Sequence, residues 1–174
     1  MDLWEAIKER RSIRRYVQGR DIPPETVEQL LQAAMAAPSA GNCQPWHFVV
    51  VRNPETKRGL AEAAYVQRFV AQAPVVIVVC ADPGRSASRY GRRGSELYCL
   101  QDTAAATENI LLGVTALGLG ACWVGAFDER AAATVLDLPS HLRPVAMIPI
   151  GHPGERFVSR TSRRPLSEMT TFIG

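Results

Sequence analysis

Residues 74–80 read Pro-Val-Val-Ile-Val-Val-Cys, and five of the seven are β-branched. A run with no polar alternation is a strand covered on both faces, since a strand with one wet face alternates. The patterns on either side supply the covering helices. Asp2 and Glu5 are spaced as a capping box over a helix with Leu3, Ala6 and Ile7 at helical spacing. Pro23 and Pro24 open a second helix with apolar positions Val27, Leu30, Leu31, Ala34 and Met35, and Pro38 closes it. Trp46–Val51 reads as a strand and Pro54–Ala64 as a helix entered through proline. A polar loop over Asp82–Ser95 leads to a long helix from about Glu96 to Leu117, ended by Gly118. A strand-like stretch Ala121–Phe127, a short helix from Asp128, a strand Val145–Ile150 and an irregular basic tail complete the pattern. Two helices precede the first strand. That points to an α+β or mixed α/β layer fold rather than a plain dinucleotide-binding domain.

At 174 residues the chain fits a single domain, 1–174, and 47% hydrophobic residues suffice for a real core. No apolar run approaches the ~18 residues of a membrane span. The N-terminal MDLWEAIKER has no signal-peptide core, so a cytoplasmic protein with no membrane partner is expected. Cys43, Cys80, Cys99 and Cys122 form no CxxC pair, which disfavours a zinc ribbon or redox dithiol; their apolar surroundings suit buried, reduced thiols. His47, His141 and His152 have no neighbour at ligand spacing, and no metal is expected. Twenty basic against seventeen acidic residues give +3, too little for a general nucleic-acid binder. Every cation except Lys8 and Lys57 is arginine. Most lie in three stretches: Lys8 to Arg20; Arg85, Arg89, Arg92 and Arg93; and Arg156, Arg160, Arg163 and Arg164. Arginine suits phosphate recognition, but for the middle stretch an arginine-rich composition is the preferred reading, with contact to a ligand left open.

Signatures of a nucleophile elbow, a Walker loop and a zinc protease are absent. Gly118-Leu-Gly120 begins like a dinucleotide fingerprint, but Trp123 stands at the third glycine, and the segment runs from helix to strand, the reverse of what that motif needs. Three segments remain. Arg10-Arg11-Ser12-Ile13-Arg14-Arg15-Tyr16 could surround a phosphate with charge-assisted hydrogen bonds; equally, Arg10 and Arg11 complement the negative end of the first helix. Pro38-Ser-Ala-Gly-Asn-Cys-Gln-Pro-Trp46 offers amide donors and acceptors from Asn42 and Gln44, as a ring with N–H and C=O edges requires, though turns use the same residues. Gly120-Ala-Cys-Trp-Val-Gly-Ala-Phe127 places small residues around a tryptophan, which suits either a flat ligand or tight packing against the preceding helix.

Taken in order, these segments resemble the FMN-dependent nitroreductase superfamily in its short form. The resemblance is carried by RRSIRRY, APSAGNCQPWHFVVV, FVAQAPVVIVVCAD, LLGVTALGLGACWVGAF and IPIGHPGE before an Arg-rich end, and it covers nearly the whole chain. It implies an α+β, three-layer sandwich with a central mixed sheet, in an intertwined homodimer with FMN sites at the interface. Arg10, Arg11, Ser12 and Arg14 then correspond to the group holding the FMN phosphate and ribityl chain, with Arg163 and Arg164 reaching the same phosphate. Pro38, Ser39, Ala40, Asn42 and Gln44 resemble the segment that lines the flavin bound mainly by the other subunit. Gln67 corresponds to a contact at the pyrimidine edge. Trp123, Val124, Gly125 and Ala126 resemble the strand end beneath the ring, with the Gly125 N–H near flavin N5. Longer relatives have glutamate-glycine at Gly125-Ala126, so no carboxylate role carries over. Ala81–Glu96 stands where larger members have a helical insertion over the pocket. The long helix is the implied dimer seam, through Ala104, Ala105, Gly113 and Ala116.

The resemblance implies a ping-pong oxidoreductase in which NADH or NADPH reduces FMN and a nitroaromatic, quinone or related acceptor then takes the electrons. The flavin carries the chemistry, so no catalytic side chain is expected. A flavin-binding protein of this fold with a specialised reaction, such as reductive dehalogenation, or with no redox turnover, remains an alternative. A nucleic-acid-binding module built on the arginine stretches is disfavoured for want of a recognised motif.

Overall fold

A computed structural model describes residues 1–154 and 161–174; Arg156 and Arg160 lie outside the described residues. Four strands form one sheet: β1 (Trp46–Val51), β2 (Val75–Ala81), β3 (Gly120–Ala121) and β4 (Arg143–Gly151), in the order β1-β2-β4-β3. The apolar run behaves as its composition dictates. Every residue of β2 is buried, with antiparallel β1 on one side and antiparallel β4 on the other. Val75, Ile77 and Val79 face one core layer, while Val76, Val78 and Cys80 face the other.

The first layer is closed by α2 (Pro24–Met35) and α6 (Cys99–Ala116), through Val27, Leu30, Ala34, Ile110, Leu111 and Val114. The second is closed by α3 (Pro54–Ala63), α4 (Phe69–Gln72) and α7 (Glu129–Val135), through Leu60, Val70 and Ala132. The helix starts follow from local chemistry. Asn53 and Asp128 accept backbone N–H bonds as N-caps of α3 and α7, and Asp2 with Glu5 completes the capping box of α1 (Leu3–Glu9). The strand ladders are antiparallel throughout; the parallel contribution among the described residues is one bridge, Ser12 to Ala121.

Several expectations need correction. Asp82–Ser95 is not a loop but α5 (Pro83–Arg93), capped by Asp82 and kinked at Gly91 (φ 54°), followed by a π-helical turn over Gly94–Tyr98 that leads into α6. The chain folds back there so closely that a Cβ on Gly94 would lie 2.3 Å from the Ser86 carbonyl oxygen. α5 shows no apolar stripe because it buries only Ser86. The strand expected over Ala121–Phe127 shrinks to Gly120–Ala121 plus an isolated bridge from Val124 to Met147. Leu3, Ile7 and Met35 do not face the core; α1 buries only Ala6. Of the small residues on the long helix, Ala105 packs into the core, and Gly113 presses on Leu30, where a Cβ would come within 3.0 Å.

The segment after α1 is docked on the β3 edge. Ile13 N–H donates to the Ala121 carbonyl (2.8 Å), and the Tyr16 hydroxyl donates to the carbonyls of Ile13 (2.9 Å) and Pro149 (3.1 Å). Gly120 makes this approach possible, since a Cβ there would lie 2.7 Å from Ile13 Cγ2. Gly120→Ala is therefore expected to destabilise the fold by about 1–3 kcal/mol through overpacking. A urea midpoint equal to the wild type's would show that Ile13 is not packed there.

Candidate functional site

Two of the three sequence segments converge at the β3 edge. Cys122 follows β3 and is buried; burial pushes its thiol up, while the charge of Arg14, hydrogen bonds from Ser12 and Arg14, and the charge of Arg10 pull it back. These side chains therefore gather at the start of Cys122-Trp-Val-Gly-Ala126. Gln67, just before α4, closes the other end by donating Nε2–H to the Ala126 carbonyl at 3.1 Å. With that amide so engaged, its Oε1 is left as an acceptor for an N–H edge. Val124 is pinned by a pair of backbone bonds to Met147, 2.9 and 3.0 Å. Trp123 is 39% exposed.

Gly125 separates the two readings of the small residues. A Cβ there would meet nothing nearer than Trp123 Nε1 at 3.7 Å, so the protein's own packing does not demand glycine. Open space over a backbone N–H is what a flat ring needs. At Gly120 the tight-packing reading holds, but the partner is Ile13 rather than the preceding helix.

The arginines divide similarly. Arg11 donates Nη1–H to the carbonyls of Lys8 (2.6 Å) and Arg10 (2.8 Å), so its guanidinium serves the end of α1. Arg10 leans toward Glu108 of α6 at 3.8 Å. Arg14 lies over the Phe69 ring at 5.8 Å, exposed and beside Cys122. Arg163 and Arg164 are held within the tail, by Thr161 and Ser162 and by Glu168 respectively.

The amide loop stands elsewhere. It runs from Pro38 into a short 3₁₀ turn, Ala40–Asn42, with Gly41, Asn42 and Gln44 all at positive φ. Gln44 donates its backbone N–H to Ser39 Oγ (3.0 Å) and its side-chain amide to Asn42 Oδ1 (3.1 Å), leaving Asn42 Nδ2 and Gln44 Oε1 outward. Three residues to which the sequence assigns no part in the site hold the loop: Asp102 Oδ1 accepts from Ala40 N–H (3.1 Å), Arg89 donates to Gly41 O (2.8 Å) and Arg85 to Cys43 O (2.9 Å). No spacing rule links an acid in the first turn of α6 to a loop 62 residues away.

The loop enters β1 opposite Ala81, whereas Ser12 bridges to Ala121, which pairs with Ile150 and through it Val75. Four strand spacings and the length of β2 then separate Ser12 from the loop diagonally, by roughly 28 Å, while Val124, bridged to Met147 and so level with Val78, stands three spacings from β1. A cavity of about 560 Å³ is lined by Trp46, His47, Arg85, Asp137 and His141 among others, and holds neither group.

Asp102 is 7% exposed and its Oδ2 has no hydrogen-bond partner among the described residues. Burial pushes the carboxyl up, and the Ala40 N–H pulls it partly back. The folded state then keeps a proton that the unfolded chain has released, so stability falls as pH rises from the ordinary aspartate value (~3.9) to the raised one. Asp102→Asn is expected to flatten that slope in urea midpoints. Wild-type and variant midpoints running parallel across pH ~3–7 would remove Asp102 as its source.

The model of the Nitroreductase family matches residues 7–67 and 64–152, which takes in the basic segment, the amide loop and the Cys122–Ala126 strand end. A Thermus thermophilus protein named NADH dehydrogenase is 35% identical over 182 residues, 89% of this chain and 88% of its own. Bacillus subtilis FMN reductase (NADPH) is 30% identical over 162 residues, 86% of this chain and 65% of its own. Among solved structures, a nitroreductase family protein from Clostridium novyi NT superposes with a TM-score of 0.80 at 34% identity, over 89% of this chain and 87% of that one. The chain belongs to the nitroreductase family and is an NAD(P)H-dependent oxidoreductase.

Proposed function

We propose that the β3 edge of one copy and the amide loop of a second copy enclose FMN, and that the site serves alternately NAD(P)H and an organic electron acceptor such as a nitroaromatic or quinone. The observation that carries this reading is that Ser12 and Arg14 lie beside Cys122 while Gln67 binds Ala126, at the two ends of the short segment that contains Gly125. The residues fit the group: a cationic end, an open glycine backbone and a free amide acceptor lie along one edge in that order. Ser12, Arg14 and, by its charge, Arg10 would hold the phosphate and ribityl chain. Trp123, Val124, Gly125 and Ala126 would carry the ring, and Gln67 its pyrimidine edge. Bound FMN would supply hydride transfer at N5, a chemistry no side chain here provides.

The second copy supplies Pro38, Ser39, Ala40, Asn42 and Gln44, because the two halves lie at opposite corners of one sheet. The exposed apolar groups favour such a pair. Leu3 (60%) and Trp4 (77%) project from α1, and Phe172 (88%) and Ile173 (94%) from the tail, with no cover from their own chain. A tail crossing to the second copy is also the route by which Arg163 and Arg164 would reach a phosphate. Among the described residues, no helix is long and apolar enough to cross a membrane.

The purified protein is expected to release FMN, and not FAD, on denaturation. Arg14→Ala should weaken FMN binding by about 1.5–3 kcal/mol, the worth of one charge-assisted contact. Arg11→Ala should cost less, since that guanidinium is spent on the end of α1. Equal losses for the two variants in an FMN titration would mean that Arg14 has no special place.

Sharing is tested by mixing an Arg14→Ala chain with an Asn42→Asp chain, which keeps the shape of the amide but substitutes a charge for a donor. Each homodimer carries its own defect twice, whereas the mixed pair holds one intact site. NAD(P)H oxidation above the average of the two homodimers is expected after co-refolding. Activity no higher than that average, with the mixed pair present, contradicts a site built from two chains.

A further inference from the structure

Among the described residues, α5 carries four arginines, Arg85, Arg89, Arg92 and Arg93, and no carboxylate. Only Arg92 has an acidic partner among those residues, Glu96 at 2.7 Å. Arg89 lies over the Tyr90 ring at 5.7 Å, Tyr90 meets Tyr98 edge-on at 5.1 Å, and Arg93 lies over Tyr98 at 5.3 Å. Arg93 Nε–H also donates to the Tyr98 hydroxyl at 2.8 Å. Two guanidinium groups are thus held by aromatic faces in an Arg–Tyr–Tyr–Arg array, with no acid to neutralise them. Composition puts arginines in a helix; it does not stack them.

The array is mounted on the amide loop. A Cβ on Gly41 would lie 2.5 Å from the Tyr90 hydroxyl and 2.8 Å from Arg89 Nε, and Arg89 Nη1 donates to the Gly41 carbonyl. Like charges fixed near one another repel, and an anion bound between them turns that repulsion into attraction. The guanidinium fork pairs its N–H donors with phosphate oxygens, and stacking fixes the fork before a ligand arrives, so less freedom is lost on binding.

We propose that the Arg89–Tyr90–Tyr98–Arg93 array binds the phosphate groups of the nicotinamide co-substrate, a phosphate-bearing dinucleotide, beside the flavin-facing loop. The assignment rests on the shared-site reading, because the amide loop is what carries α5 to the flavin in the assembled pair. Arg92, neutralised by Glu96, stands outside the array.

Equilibrium titration of the FMN-loaded protein with NADP⁺ and NAD⁺, which bind without reacting, reads the array apart from turnover. Arg93→Gln is the probe, since its side chain holds only Tyr98. Arg92→Gln removes the same formal charge from the same helix. Arg93→Gln is expected to weaken NADP⁺ binding about tenfold, and Arg92→Gln by less than about twofold. Arg93→Lys, which keeps the charge but loses the fork, should recover part of the affinity. A loss confined to NADP⁺ supports the array and assigns it to the additional phosphate; an equal loss for NAD⁺ supports it and assigns it to the shared pyrophosphate. Unchanged affinities for Arg93→Gln, or equal losses for Arg92→Gln and Arg93→Gln, overturn the proposal. Flavin content of the same samples separates the two readings. Full flavin with unaltered dinucleotide affinity removes the array alone, whereas wild-type protein that takes up no FMN removes the cofactor reading beneath it.

Discussion

Strand β2 is buried along its whole length, and the rest of the molecule is placed by that burial. Because helices cover both faces of β2, that strand is closed to a ligand, and the candidate site lies toward the edges of the sheet. The edges are unlike each other. At β1 the chain arrives through a loop of polar residues in left-handed conformations; at β3 it is met by the Ser12–Tyr16 segment, docked through Ile13 and Tyr16. The basic segment and the amide loop therefore stand at opposite corners of the sheet. That separation is what supports a second copy in the proposed site.

The two half-sites are held by different means. At the β3 edge the fit is steric: Gly120 lets Ile13 approach, and the Tyr16 hydroxyl ties the segment to Pro149. At the β1 edge it is polar: Asp102, Arg85 and Arg89 take up backbone groups of a loop whose positive φ values carry a conformational cost. Packing makes the first rigid. The second depends on a buried carboxylate with one oxygen unpartnered among the described residues and on two surface arginines, which makes it the more responsive to pH and salt.

Much of this was legible in the sequence, and the exceptions have physical reasons. β1, β2, β4 and α2, α3 and α7 announce themselves through apolar period, proline entry and capping residues. α5 does not, because a helix that buries only Ser86 shows no apolar stripe, and its serines and glycines read as loop. Arg11 and Arg14 are indistinguishable in a basic run, yet one caps a helix and the other lies exposed over Phe69 beside Cys122. Gly120 and Gly125 look alike in sequence; only the space around each shows that one is needed for packing and the other is not. Asp102 and the arginine–tyrosine array depend on contacts between distant segments and leave no local pattern to read.

Sedimentation of the FMN-loaded protein, followed through the visible absorbance of the flavin, tests most directly that the site belongs to two chains. The account predicts that all bound flavin sediments with a dimer, and that dilution into the monomer range releases it. Flavin that remains bound to a sedimenting monomer would contradict the account, because a single chain would then hold what its sheet keeps at opposite corners.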